Sequence, residues 1–258
     1  MKKKTIVTVI LTLVVVLSAT VLGVANVFRV DGVVLNAPVV SEAAKGEAEA
    51  LQKELEECYA GASTLFAGEE AALEVLEKYP YFRLTAFERK FPNLLVIEAT
   101  EDAEVYAVES GNEYLILSAS GTVLGKRATP TNRADGAENV VIRGVNVSGE
   151  LGEKIGGTDG IEAILALTNE LDAAFGGIRS NLLSVEVERH GTVHQLTLQM
   201  REGVTVYVIK PSDFTRSKAE KIANVYLSLS DRERLTGSIV ATDDGSEAIV
   251  SYSSKDFE

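Results

Sequence analysis

The sequence predicts an α+β protein with one N-terminal transmembrane helix, a small β-α-α-β-β domain, and then a mixed β-rich domain with two helices. Three patterns support this prediction. The segment 5–28 contains no ionisable residue. Two amphipathic helical patterns follow it, flanked by extended segments. From residue 103 onward, short apolar segments alternate with glycine-containing turns, as in antiparallel sheets.

The apolar segment 5–28 is long enough to span a bilayer. As a helix it would measure about 36 Å at about 1.5 Å per residue, against a hydrocarbon core of about 30 Å. Lys2, Lys3 and Lys4 precede it and predict a cytoplasmic tip, 1–4, with the remainder outside the cytoplasmic membrane. A signal peptide cleaved after Ala25 is the alternative, but the apolar segment is longer than signal peptides usually have. We therefore expect a retained single-pass anchor.

The charge of the chain excludes one class of function. The formal net charge is −13, and three of the 25 basic residues lie in the N-terminal tip. A nucleic-acid-binding protein needs a basic surface to displace counterions from phosphates. Nucleic acid is therefore not an expected partner.

The first domain is expected over 29–102. Its predicted elements are an extended segment at 28–35, helices at 42–57 and 69–79, and strands at 83–91 and 93–100. In the last strand, Leu95 and Ile97 share one face while Leu94 and Val96 share the other, so this strand should be central or covered by the helices. Cys58 is the only cysteine, which excludes an intrachain disulfide. It ends a helical pattern and is expected to be a small buried residue.

The second domain is expected over 103–258. Strands are predicted at 104–109, 113–117, 122–125, 139–145, 183–188, 193–200, 204–209, 238–241 and 247–252. Helices are predicted at 161–175 and 215–229, where apolar residues recur at helical spacing.

The motifs that could carry chemistry favour structural interpretations. The segment from Gly121 to Arg127 has the wrong spacing for a phosphate-binding loop and lies in a β-meander, so it indicates a hairpin corner. His190 and His194 flank a second predicted hairpin corner and lack the other residues of a metal-binding pattern. We therefore expect no catalytic residue, no cofactor and no metal, and the chain is not expected to be an enzyme.

A set of motifs in the first domain resembles the FtsQ/DivIB family of bacterial cell-division proteins. They are Tyr-Ala-Gly-Ala-Ser-Thr-Leu-Phe at 59–66, Tyr-Pro-Tyr at 79–81, and Phe-Glu-Arg-Lys-Phe-Pro-Asn-Leu-Leu-Val-Ile at 87–97. The segments at 114–117 and 121–124 resemble the hairpin that follows in that family. The resemblance implies a POTRA domain over 29–102 and an FtsQ/DivIB-like β domain over 103–258.

The resemblance also implies a function. It would be a non-catalytic, membrane-anchored scaffold of the division machinery, located at the division septum, that binds other single-pass division proteins of the FtsL and DivIC/FtsB types. We expect a partner segment to add a strand to the last strand of the chain, although that strand could equally be an ordinary paired one. The candidate partner-binding residues are Glu247, Ala248, Ile249, Val250, Ser251 and Tyr252. An anchored or secreted cell-envelope enzyme acting on peptidoglycan is the alternative.

Overall fold

The computed structural model describes residues 2–39, 42–157, 160–190 and 193–255. The chain divides into two compact units, Met1–Glu101 and Asp102–Glu258. Both contain helices and strands, so the predicted α+β class is confirmed.

The predicted transmembrane helix over 5–28 is wrong. The segment does form a helix, α1 (Lys2–Val27), but no helix among the described residues is both long and apolar enough to cross a membrane. Within α1, the Thr20 hydroxyl donates to the Val16 carbonyl at 2.9 Å.

The rest of unit 1 is a three-stranded sheet with two helices. Its elements are β1 (Gly32–Asn36), α2 (Glu42–Cys58), α3 (Glu70–Leu76), β2 (Phe82–Lys90) and β3 (Leu94–Glu101). The strand order is β1-β3-β2, with β1 parallel and β2 antiparallel to β3. As its apolar residues on both faces predict, β3 is central, and Leu95, Val96 and Ile97 are buried.

Helix α2 buries a stripe with a four-residue repeat. Leu51 and Leu55 are fully buried, and Tyr59 directly after the helix continues the stripe. The Tyr59 hydroxyl donates to the Gly68 carbonyl at 2.6 Å. Cys58 lies beside this stripe and is exposed, so the prediction of a buried cysteine is wrong. Three residues after Leu55, Cys58 lies at the border of this stripe, whereas the four-residue repeat places Tyr59 on it.

The outer edge of β1 is covered by a side chain from α2. Gln52 Nε2 donates to the Val33 carbonyl at 2.7 Å, and the Leu35 N–H donates to Gln52 Oε1 at 2.7 Å. One primary amide therefore makes both bonds that a neighbouring strand would make. Such cover prevents the edge from pairing with another chain.

Unit 2 is built on a nine-stranded sheet. Its long strands are β4 (Glu104–Ser110), β5 (Glu113–Ser118), β6 (Val123–Arg127), β7 (Val140–Arg143), β10 (Leu182–His190), β11 (Val193–Met200), β12 (Thr205–Ile209), β13 (Ser238–Asp243) and β14 (Ala248–Ser253). Their order is β14-β13-β12-β11-β10-β7-β4-β5-β6. A separate two-stranded ribbon pairs β8 (Val147–Ser148) with β9 (Gly156–Gly157).

The helices of unit 2 are α4 (Ile161–Phe175), α5 (Ile178–Asn181) and α6 (Thr215–Ser228), and a 3₁₀ turn covers Glu233–Leu235. The bounds of α4 agree with its sequence pattern, whereas α5 and the ribbon were not predicted. Helices α4 and α6 pack against each other, and their apolar residues join the sheet in one core. Within it, the Tyr106 hydroxyl of β4 lies 2.8 Å from Thr168 Oγ1 of α4.

The Gln52 amide provides a test of how β1 is covered. Replacing it by leucine (Gln52→Leu) removes both hydrogen bonds to the β1 backbone. We expect the free energy of unfolding to fall by about 1–2 kcal/mol, measured by urea denaturation. Lys53→Ala, at an exposed neighbouring position, should leave it nearly unchanged. Equal stability of the Gln52→Leu variant and the parent would contradict this assignment.

Candidate strand-pairing edge

The predicted partner-binding residues form the outermost strand of the nine-stranded sheet. β14 (Ala248–Ser253) pairs with β13, and no described strand lies on its other side. Glu247 precedes the strand and belongs to the connecting turn. The predicted segment is therefore an edge strand, shifted by one residue from its expected bounds.

The two faces of β14 differ as the alternation of side chains predicts. Ala248 is fully buried, and Val250 and Tyr252 are partly buried against the core. Ile249 is 44% exposed, and Ser251 is exposed on the same face. One face thus holds the strand on the core while the other presents an apolar side chain to solvent.

Hydrogen bonds in the neighbouring strands determine which β14 backbone groups point outward. The Thr205 N–H of β12 donates to the Gly237 carbonyl at 3.2 Å. Gly237 therefore faces β12. Because successive residues point their backbone groups to opposite sides, Val240, three residues later, faces β14, where it pairs with Ser251. Ser251 therefore bonds inward. The N–H and C=O groups of its neighbours, Val250 and Tyr252, point away from β13 toward the open side.

The edge also lacks charged side chains. The segment from Ala248 to Ser253 reads Ala-Ile-Val-Ser-Tyr-Ser. Edge strands are usually protected from pairing by charges, proline or bulges, and β2 in unit 1 carries exposed Arg83, Glu88, Arg89 and Lys90. Because β14 lacks such charges, it is suited to accept another strand.

The turn before β14 is organised by one carboxylate. Asp244 Oδ1 accepts bonds from the Ser246 N–H at 2.9 Å, the Ser246 hydroxyl at 2.7 Å and the Glu247 N–H at 3.0 Å. These bonds favour the charged carboxylate and lower the pKa of Asp244 to about 2. At near-neutral pH the charged Asp244 carboxylate therefore holds the turn between β13 and β14 in place.

A buried lysine of α6 ties the ends of the strands together. Lys218 is fully buried, and its Nζ donates to the carbonyls of Ile209 at 2.7 Å and Lys210 at 2.8 Å. It also lies 3.1 Å from Asp243 Oδ2 at the end of β13. The hydrogen bond and positive charge of Lys218 lower the pKa of Asp243. One turn further along α6, Lys221 Nζ donates to the Ala248 carbonyl, which occupies the first outward-facing acceptor of β14.

Sequence reasoning missed Lys218, although a signal was present. Lys218 lies four and eight residues before Ile222 and Tyr226, so it shares their buried side of α6. A lysine on an apolar stripe requires polar partners for its ammonium group, and the two strand ends supply them.

The predicted structural motifs lie outside this edge. His190 and His194 belong to β10 and β11, which form the expected hairpin. Gly121 precedes β6 in a turn between two strands, as expected, rather than at the start of a helix. Among the described residues, no group of acidic, histidine and cysteine side chains is arranged to hold a metal ion.

Unit 1 contains a mixed-charge cavity of about 480 Å³. Arg29, Asp31 and Glu56 line it beside the β1 backbone. Both carboxylates accept amide hydrogen bonds: Asp31 from Asn93 Nδ2 at 2.6 Å and Glu56 from Gln52 Nε2 at 2.6 Å. Asn93 and Gln52 thus hold the two carboxylates in place. Gln52 also covers the edge of β1, so its contacts support the fold.

No protein-family model matches this chain, and no curated protein matches it either.

The Lys218 ammonium group should be important for stability. Lys218→Met leaves two buried carbonyls and the Asp243 carboxylate without their cation, and we expect a loss of about 3 kcal/mol in the free energy of unfolding. The double variant Lys218→Met/Asp243→Asn should recover part of this loss. Arg216→Met, on the exposed side of α6, is the control and should change little. Full stability of the single variant would show that the buried contacts contribute nothing.

The turn carboxylate predicts a pH dependence. The folded-state pKa of Asp244 is lowered from 3.8 to about 2, so its stabilising effect is present above pH 3.8 and disappears as the pH falls toward 2. We expect Asp244→Asn to lower the melting temperature at neutral pH. The difference in melting temperature between the variant and the parent should decrease as the pH falls from 3.8 toward 2. Asp231→Asn, at an exposed position, should show no such trend. A difference independent of pH would contradict the assignment.

Proposed function

We propose that this protein is a non-catalytic scaffold of the bacterial division machinery that binds other division proteins by accepting a strand at β14. The partners are proteins of the FtsL and DivIC/FtsB types. The single observation that carries the proposal is the open, uncharged edge of the nine-stranded sheet, at which the backbone groups of Val250 and Tyr252 point outward. The motif resemblance at 59–66, 79–81 and 87–97 supports the choice of partners.

The geometry defines what the partner must supply. An extended segment beside β14 would exchange hydrogen bonds with Val250 and Tyr252, while Lys221 already occupies the Ala248 carbonyl. The partner's side chains would alternate between the face that carries α6 and the face that carries Ile249. On the Ile249 face, an apolar side chain of the partner would cover the exposed surface of Ile249. Main-chain bonds provide affinity in this mode, and alternate side chains provide specificity.

A proline at Val250 tests the strand-addition mechanism directly. Val250→Pro removes the outward N–H but no hydrogen bond to β13, because Val250 bonds on the open side. We expect the variant to remain folded and to bind the FtsL-type and FtsB-type proteins at least about ten-fold more weakly, which corresponds to about 1.4 kcal/mol. Affinity is measured with purified partners by isothermal titration calorimetry.

Val250→Ala is the matched control, since it loses apolar contact with the core but keeps the N–H. It should bind like the parent. Equal weakening by both variants would assign the effect to side-chain packing instead of strand addition. A chain lacking residues 247–258 that stays folded, as judged by circular dichroism, and binds undiminished would exclude β14 altogether.

A further inference from the structure

Unit 1 has three phenylalanine rings that we call the aromatic tip: the half-buried Phe28 and the exposed Phe66 and Phe91. Phe66 is 85% exposed and Phe91 is 59% exposed. The Phe28 and Phe91 rings meet edge to face, with centroids 6.0 Å apart. Phe91 lies at the turn between β2 and β3, directly before Pro92. Large rings exposed to this extent are costly in water and indicate a surface that is covered by something else.

Thr64 brings the three segments of the aromatic tip together. The Thr64 N–H donates to the Phe28 carbonyl at 2.7 Å, and the Thr64 hydroxyl contacts both that carbonyl and the Pro92 carbonyl. Thr64 itself is fully buried. Phe66 follows two residues later, and its N–H donates to the Ser63 carbonyl at 3.0 Å. The rings are therefore held by a fixed backbone arrangement.

Basic side chains lie beside Phe28 and Phe91 in the aromatic tip. Arg29 is adjacent to Phe28, and Arg89 and Lys90 precede Phe91; all three are exposed. The neighbouring carboxylates are Glu88, which pairs with Lys90 at 3.7 Å, Asp31, which accepts a bond from Asn93, and the exposed Glu69 and Glu70, which follow Phe66. No ion pair joins Arg29 or Arg89 to another residue of the described part of the chain. This basic group is unusual in a chain with a net charge of −13.

We propose that the aromatic tip inserts its Phe66 and Phe91 rings into the headgroup region of an anionic lipid surface, with Arg29 and Arg89 contacting the lipid phosphates. Exposed apolar rings bordered by arginine and lysine have the chemistry of interfacial lipid contacts. The positive charges of Arg29 and Arg89, which form no ion pair among the described residues, complement the negative phosphates of such a surface. The contact lies in unit 1 and does not involve β14, so it goes beyond the scaffold function and does not depend on it.

The absence of tryptophan from the sequence permits a site-specific test. Single variants Phe66→Trp and Phe91→Trp of the full chain are mixed with vesicles of phosphatidylcholine, with or without phosphatidylglycerol. We expect both to shift their emission to shorter wavelength and to be quenched by brominated lipids when phosphatidylglycerol is present. Phe214→Trp, in unit 2 at a position 40% exposed, is the matched control and should show neither change. Circular dichroism and thermal melting verify that each variant folds like the parent.

The contribution of charge is tested in the Phe91→Trp background. Adding Arg89→Gln should weaken binding to the anionic vesicles by about five-fold, and added salt should weaken it further. The proposal is overturned if residues 66 and 91 show no change while the chain still sediments with vesicles. It is also overturned if Phe214→Trp responds equally, if neutral vesicles act as strongly as anionic ones, or if purified FtsL-type or FtsB-type protein alone produces the shift. These readouts are independent of strand addition at β14.

Discussion

Backbone N–H and C=O groups at the edge of a sheet require partners, and this requirement shapes the two larger sheets of the protein. In unit 1, Gln52 supplies a side-chain amide to β1, and β2 carries charged side chains. In unit 2, the backbone groups of Val123 in β6 bond to the loop at 152–153, at 2.8 Å for each bond. At β14, the described residues provide only the Lys221 ammonium at the first acceptor. The contrast between three protected edges and this open one is the physical basis of the proposed scaffold.

The regular elements were largely predictable because their signals are local. Helix α4 has the bounds that its periodicity indicated, and β11 has those that its apolar pattern indicated. The apolar residues on both faces of 94–97 predicted a strand that is central or covered by the helices, and β3 is central in its sheet. The alternation of the faces of β14 was also correct, because a period of two residues determines which side chains face the core. The sequence left open whether this strand is an edge.

The errors arose where tertiary contacts or fine geometry decide the outcome. Cys58 was placed on the buried stripe of α2, but Leu51 and Leu55 continue to Tyr59 instead. The apolar character of 5–28 predicted a spanning helix, which the described residues do not provide. The sequence around Gln52 is that of an ordinary helix. Its contact with β1 could not be predicted, because it depends on how a separate strand packs beside the helix. Lys218 could be recognised only from its position on the apolar stripe of α6, where an ammonium group needs polar partners. The exposed rings Phe66 and Phe91 lie in turns, where no periodicity indicates exposure.

The short strand β7 has a consequence for how unit 2 folds. On one side of β7 lie β4, β5 and β6, and on the other lie β10 to β14, and in both groups neighbouring strands are consecutive in the chain. The antiparallel pairs among them are local hairpins, which form within microseconds, whereas β12 and β13 pair in parallel across α6. β7 instead pairs in parallel with β4 and with β10, through two long connections. Loop closure opposes both pairings. We therefore expect β7 to join the two groups of strands after their hairpins have formed. The continuity of the sheet depends on Val140, Val141 and Ile142, which are all buried.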